Sequence, residues 1–160
     1  GKARETWEGA ANYVVTKVPA FSNQFLLMTT AGFVGTALRL ALKNGIPGIS
    51  PAFHPHASIV ILLTSFLVLA ISVAGIHPII GMTIVHSVVI PFAGAVTPVI
   101  LCLALLLGAS LGFGVSPVSA TILVTSACAG QNSIETGIKK HWKYALVVWL
   151  ISSALLAAFD

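Results

Sequence analysis

Two short polar interruptions of an otherwise apolar chain hold the residue types best suited to binding chemistry. The first reads Gly-Ile-His-Pro at 75–78, and the second reads Gly-Val-Ser-Pro-Val-Ser at 114–119. A proline removes a backbone donor, so a helix that breaks there leaves carbonyl groups free to coordinate a cation. The start of the following half-helix offers unpaired N–H groups to an anion. Two such interruptions in one chain favour a transporter site.

The expected binding residues all belong to these interruptions or to the turn that follows them. They are Gly75, His77, Pro78, Ser116, Pro117 and Ser119, with Thr83 and Thr121 as secondary candidates. Each feature also has a structural interpretation. Glycine and proline kink many membrane helices, His77 can cap a half-helix, and helical threonines often bond to their own backbone.

The apolar runs contain no Asp or Glu. This argues against a carboxylate proton relay and against paired-carboxylate catalysis. A histidine-based metal site would need His54, His56, His77 and His86 to converge without an acid or Cys partner. The expectation is therefore a protein that is not an enzyme, with no metal or cofactor beyond a coupling Na⁺ or H⁺.

Composition places the chain in a lipid bilayer. Of 160 residues, 57% are hydrophobic and only 8% are charged, whereas about a quarter of a soluble domain is charged. The mean hydropathy is +1.00. The net charge of +4 forms no basic stripe, which excludes nucleic acid as a partner. Both cysteines, Cys102 and Cys128, lie in apolar runs, so no disulfide framework is indicated.

The apolar runs predict an all-α polytopic membrane protein. The run at 21–42 reaches about 30 Å as a helix, enough to span. Residues 57–90 are expected to form a re-entrant hairpin with its tip at 75–78, and two ordinary spans at 58–74 and 79–95 are the alternative. The expected elements after the hairpin are a helix broken near its middle at 96–130, a polar loop at 131–143 and a last span at 144–159.

The distribution of Lys and Arg predicts the orientation of the chain in the membrane, and its first residue bears on whether it is part of a larger protein. Lysines and arginines are concentrated in the segment 1–20, expected to be a loop or surface helix, and in the loop at 131–143. The positive-inside rule makes both cytoplasmic and puts the C-terminus outside, in a multi-pass inner-membrane protein. The chain begins without Met, and we expect it to be the C-terminal part of a larger protein.

This order of elements resembles the C-terminal repeat of the ion transporter superfamily. The nearest resemblance is to the divalent anion/sodium symporters, with arsenite and sodium/proton antiporter relatives. The run Leu-Gly-Ala-Ser-Leu-Gly-Phe-Gly-Val-Ser-Pro-Val-Ser-Ala-Thr at 107–121 is similar to the family's small-residue helix, Phe and Pro-rich break. The hairpin tip departs from the family, because 74–78 lacks its Ser-Asn-Thr.

The resemblance implies an inverted repeat upstream, a homodimer, and a tip that faces the break near the membrane midplane. The sodium ligands of the family's Ser-Asn-Thr tip are not carried over to this tip, where His77 indicates proton coupling or a different anion. We therefore expect one half of an inverted-repeat secondary transporter that moves a small anionic solute, coupled to sodium or protons. The alternatives are a non-transporting helical subunit or scaffold, and a histidine-metal membrane enzyme.

Overall fold

The computed structural model describes residues 22–42 and 55–159, together with positions 6 and 15. Within these ranges the chain is all-α, as predicted. The helices are α1 (Ser22–Ala41), α2 (Ala57–Val73), α3 (Pro78–Val89), α4 (Pro98–Val115), α5 (Ala120–Ala129) and α6 (Lys140–Ala158). A 3-10 segment (Ile90–Ala95) extends α3, and a π-helical turn (Glu135–Lys139) precedes α6.

Helix α4 is the centre of the bundle and packs against α2, α3 and α6, while α1 packs on α3. Glycines allow the backbones of α4 and α2 to approach closely. A Cβ at Gly108 would lie 2.5 Å from the Ser65 carbonyl oxygen, and one at Gly112 would lie 2.5 Å from Ser72 Oγ. Small residues at membrane helix interfaces permit this kind of packing.

Two glycines with positive φ end helices α2 and α5. Gly75 has φ +95° and Gly130 has φ +62°. After α2, the Gly75 N–H donates to Ser72 O at 3.1 Å and the Ile76 N–H donates to Ile71 O at 3.2 Å. This is the Schellman pattern, in which glycine tolerates the left-handed conformation that closes the helix.

The turn after α2 leads directly into a capped α3. His77 precedes the helix, and its Nδ1 accepts from the Ile79 N–H at 3.3 Å. Pro78 occupies the first helical position, where its missing N–H costs no helical hydrogen bond. The α-helix ends at Val89, next to the expected hairpin end at residue 90, and the chain continues as the 3-10 segment Ile90–Ala95, in which Pro91 again takes an early position.

The prediction of a polar loop at 131–143 is wrong, since the chain is helical from Ser133 to Ala158. Asn132 starts this helix by accepting the Ile134 N–H on Oδ1 at 2.9 Å. Lys139 Nζ lies 3.4 Å from Glu135 Oε1 one turn away. Polar residues here cover a helical surface, so the last helix begins well before residue 144.

By length and composition, two helical stretches of the described chain are suited to cross a membrane, Pro98–Ala129 and Glu135–Ala158. Three shorter apolar helices accompany them: Phe25–Ala41, Ala57–Val73 and Pro78–Gly94. Apart from positions 6 and 15, residues 1–20 lie outside the described residues, as do Lys43 and His54, and so do the expectations that concern them.

Candidate functional site

The hairpin tip lies against the end of α4, next to the interruption that follows this helix. The His77 ring meets the Phe113 ring edge to face, with centroids 5.6 Å apart and planes at 77°. One residue earlier, a Cβ at Gly112 would lie 3.3 Å from Pro78 Cγ. The hairpin tip therefore packs on the last turns of α4, immediately before the second interruption.

The interruption at 116–119 is a compact, hydrogen-bonded break. Ser119 is fully buried; its Oγ donates to the Phe113 carbonyl at 2.8 Å and accepts the Ile122 N–H at 3.3 Å. Its own N–H donates to Ser116 O at 3.1 Å. Ser119 is thus the N-cap of α5 and also ties α5 to the end of α4.

Ser116 has a different environment. Its side chain is 0% exposed, and its Oγ has no hydrogen-bond partner among the described residues. Because a buried hydroxyl without a partner is destabilising, such a group indicates a place where a ligand or water completes the bonding. Pro117, which follows, is partly exposed and supplies no donor.

At the tip, two predicted residues have structural roles. Gly75 closes α2 through its positive φ, and His77 uses Nδ1 to cap α3. Pro78 is almost fully buried against the α4 end. Only the His77 ring, partly exposed and seated on Phe113, combines contact with the break and polar chemistry.

The two threonines lie apart from this contact. Thr83 donates from Oγ1 to Ile79 O at 2.9 Å within α3, and its methyl group lies towards Gly35 of α1. Thr121, at the start of α5, is exposed and lines a groove of about 470 Å³ between α4, α5 and α6.

Sequence reasoning missed several residues that the fold brings to the break. The sequence indicates Phe113 only through the family resemblance at 107–121, yet this residue contacts both Ser119 and His77. Gly137 packs on the α4 end, where a Cβ would lie 2.6 Å from the Val115 carbonyl oxygen. His141 and Tyr144 line the groove beside Thr121. Gly137 and His141 fall in the stretch 131–143 that the sequence predicts as a loop, and Tyr144 falls at the predicted start of the last span, so their positions in the sequence did not indicate these contacts.

The described histidines lie in separate environments. His56 and His77 cap different helices, and His86 lines a cavity of about 490 Å³ with Cys102. Among the described residues, no three His, Cys, Asp or Glu side chains are grouped so as to hold a metal ion. His54 lies outside those residues.

Searches against family models, curated proteins and solved structures returned no match for this chain.

Proposed function

We propose that this chain is the C-terminal part of a secondary transporter that moves a small anionic solute across the inner membrane, coupled to sodium or protons. The observation that carries the proposal is the position of Phe113. Its carbonyl accepts from Ser119 at the start of α5, and its ring touches His77 at the hairpin tip. One residue thus connects both interruptions of the apolar sequence.

The start of α5 suits an anion. The N–H groups of Ala120 and Thr121 donate no backbone hydrogen bond within the described chain, and both residues are exposed. The partial positive charge of a helix N-terminus favours a carboxylate or oxyanion at this place. Residues 116–121 carry no acidic side chain that would repel it.

The exposed apolar surface fits a bundle that works in lipid beside a second half. Phe33 on α1 is 74% exposed and Ile151 on α6 is 58% exposed. In the proposed protein, lipid, an upstream inverted repeat and a second protomer cover these faces. Rigid-body movement of the bundle against the other repeat then exposes the site to alternate sides.

The test is the melting temperature of the full-length protein in detergent with small carboxylates and oxyanions. Succinate, citrate and sulfate are each added in sodium, in potassium and at two pH values. A ligand that binds the folded state raises the midpoint as its occupancy rises. The proposal predicts a shift for one anion class that depends on sodium or on low pH.

Two variants connect that shift to the site. His77→Asn keeps a side-chain acceptor for the α3 cap but removes the ring from Phe113, and Ser116→Ala removes the unpartnered hydroxyl. Both are expected to diminish the anion shift. If the wild-type protein is well folded and no anion shifts its midpoint, the non-transporting scaffold is favoured. If both variants respond like the wild type, the site is misplaced.

A further inference from the structure

The groove between α4, α5 and α6 has a volume of about 470 Å³ and runs from the start of α5 towards the middle of α4. Helix α6 is antiparallel to α4, because Gly137 packs on Val115 while Leu156, later in the chain, packs on the cluster that contains Leu101. The first residues of α6 therefore lie beside α5, and the later ones lie further along α4.

The two ends of this groove differ in polarity. Thr121, Thr125 and His141 line the end beside α5, whereas Leu107 and Val148 line the end beside the middle of α4. The lining residues include no acidic side chain. A ligand that fills the groove must therefore be amphipathic, with a polar group at the α5 end and an apolar body along α4.

A cation without a carboxylate partner stands at the polar end. Lys140, the neighbour of His141, donates from Nζ to Oε1 of Gln131, which follows the end of α5. Within the described part of the chain the one acidic residue is Glu135, and it pairs with Lys139. The charge of Lys140 is thus balanced by no described side chain, and it complements a negative group on the ligand.

The polar end of the groove coincides with the start of an apolar helix. The stretch Glu135–Ala158 is suited by length and composition to cross a membrane. Near its start, the Trp142 side chain is 47% exposed and that of Tyr144 is 66% exposed. Exposed aromatic residues and lysines at the end of such a helix favour the level of the lipid headgroups. From that level the groove leads towards the hydrocarbon region.

We propose that this groove binds one anionic phospholipid. Lys140 and His141 contact the phosphate headgroup, and an acyl chain lies along Leu107 and Val148. Basic pockets between membrane helices bind anionic headgroups in this way. A soluble anion would leave the apolar walls uncovered, and a zwitterionic lipid carries no net charge to balance Lys140. The proposal goes beyond transport and does not depend on it.

The experiment measures which lipid the full-length protein retains. The purified, delipidated protein in detergent is mixed with equal amounts of phosphatidylglycerol and phosphatidylcholine that have the same acyl chains, and the lipids that remain bound are counted by native mass spectrometry. We expect one phosphatidylglycerol to be preferred about fivefold, the scale of one lysine near an anionic headgroup. Phosphatidylglycerol should also raise the melting midpoint, because it binds the folded state.

Two charge variants locate the headgroup. Lys140→Gln should remove most of the preference for phosphatidylglycerol. Lys143→Gln removes the same charge from the same helix, but Lys143 does not line the groove, and its Nζ lies 5.7 Å from the centre of the Trp142 ring. This control should reduce the preference clearly less. Equal effects of the two changes would assign the preference to the general positive charge of the segment and overturn the site.

Two shape variants locate the acyl chain. Gly114 lines the groove, and no described atom lies within 4 Å of a Cβ placed there. Gly114→Leu should therefore fill the groove and lower the retention of phosphatidylglycerol while all charges remain. Gly32→Leu is the control, since Gly32 has equally open surroundings on α1, and it should retain the lipid like the wild type. Melting midpoints without lipid establish that both variants are folded.

Three results would overturn the proposal. They are equal retention of the two lipids, unchanged retention by a folded Gly114→Leu variant, and displacement of the lipid by glycerol 3-phosphate at the same concentration as by phosphatidylglycerol, which would assign the site to a soluble anion. The proposed transport is tested separately. Lipid retention that depends on Lys140 and Gly114, in a protein whose midpoint no small anion shifts, keeps the lipid site and counts against anion transport.

Discussion

Ser119 and Phe113 are joined across the break by a hydrogen bond of 2.8 Å from the serine Oγ to the phenylalanine carbonyl oxygen. The same Oγ accepts the N–H of Ile122 at 3.3 Å. One hydroxyl therefore satisfies an orphan carbonyl of α4 and an orphan amide of α5. These two hydrogen bonds fix the orientation of α5 relative to the end of α4.

Replacing Ser119 with Ala is expected to destabilise the protein by about 1–3 kcal/mol, because it removes an N-cap and leaves the Phe113 carbonyl buried without a donor. The free energy of unfolding in mixed micelles measures this. Thr125→Ala is the control, since that exposed hydroxyl bonds only to Thr121 O within α5 and should change stability by less than about 0.5 kcal/mol. Equal effects of the two changes would contradict the proposed tie across the break.

Two glycines close together on α4 should respond oppositely to alanine. At Gly112 the new Cβ would lie 2.5 Å from Ser72 Oγ and 2.8 Å from Ser72 Cβ. Because α2 and α4 must then separate, the free energy of unfolding should fall by about 1–3 kcal/mol. At Gly114 no atom of the described residues lies within 4 Å of the new Cβ, and alanine should be neutral or stabilising by up to about 1 kcal/mol. Melting midpoints of both variants decide this, and a larger loss at Gly114 would mean that α2 and α4 do not pack as described.

Gly75→Ala and Gly130→Ala should impose the same backbone strain at two different places in the fold. Both residues have positive φ, so alanine should destabilise each by about 1–2 kcal/mol. Gly130 lies after α5, away from the hairpin tip. Anion binding, followed by the midpoint shift, should weaken with Gly75→Ala and persist with Gly130→Ala. If both variants lose anion binding equally, Gly75 contributes stability and no specific geometry at the tip.

A buried polar link fixes α6 to α2. The indole Nε1 of Trp149 donates to Ser65 Oγ at 2.9 Å, and Ser153 Oγ lies 3.3 Å from the same oxygen. Trp149→Phe and Ser65→Ala should each destabilise the protein, with a coupling energy of about 0.5–1.5 kcal/mol in the double-mutant cycle. Additive single effects would show that the two side chains do not interact.

The sequence located the helices and the interruptions because their signals are local. Gly75 and Pro78 mark the end of one helix and the start of the next. Pro117 marks the break because it has no backbone N–H. The apolar run at 21–42 likewise matches Ser22–Ala41 within one residue at each end.

Features that depend on distant contacts could not be predicted in the same way. The polar stretch at 131–143 folds as helix partly because Gly137 fits against Val115, 22 positions earlier in the chain. Thr83 has a suitable residue type, but its position on α3 directs it to α1. The burial of Thr136, whose hydroxyl has no partner among the described residues, likewise depends on tertiary packing that local sequence does not specify.

The central claim is that the hairpin tip and the break line a solute pathway within the membrane. Cysteine accessibility in cells or oriented vesicles tests it most directly, after the exposed Cys102 and Cys128 have been replaced by alanine. Ile76→Cys and Val118→Cys report on the two interruptions, and Leu155→Cys on the apolar surface of α6; all three native residues are between 40% and 55% exposed.

We predict that a membrane-impermeant thiol reagent modifies the cysteines at 76 and 118, that the anion which raises the melting midpoint slows this reaction, and that the cysteine at 155 stays unmodified. If positions 76 and 118 react no faster than position 155, or if neither responds to any ligand, the two interruptions do not form a transport site.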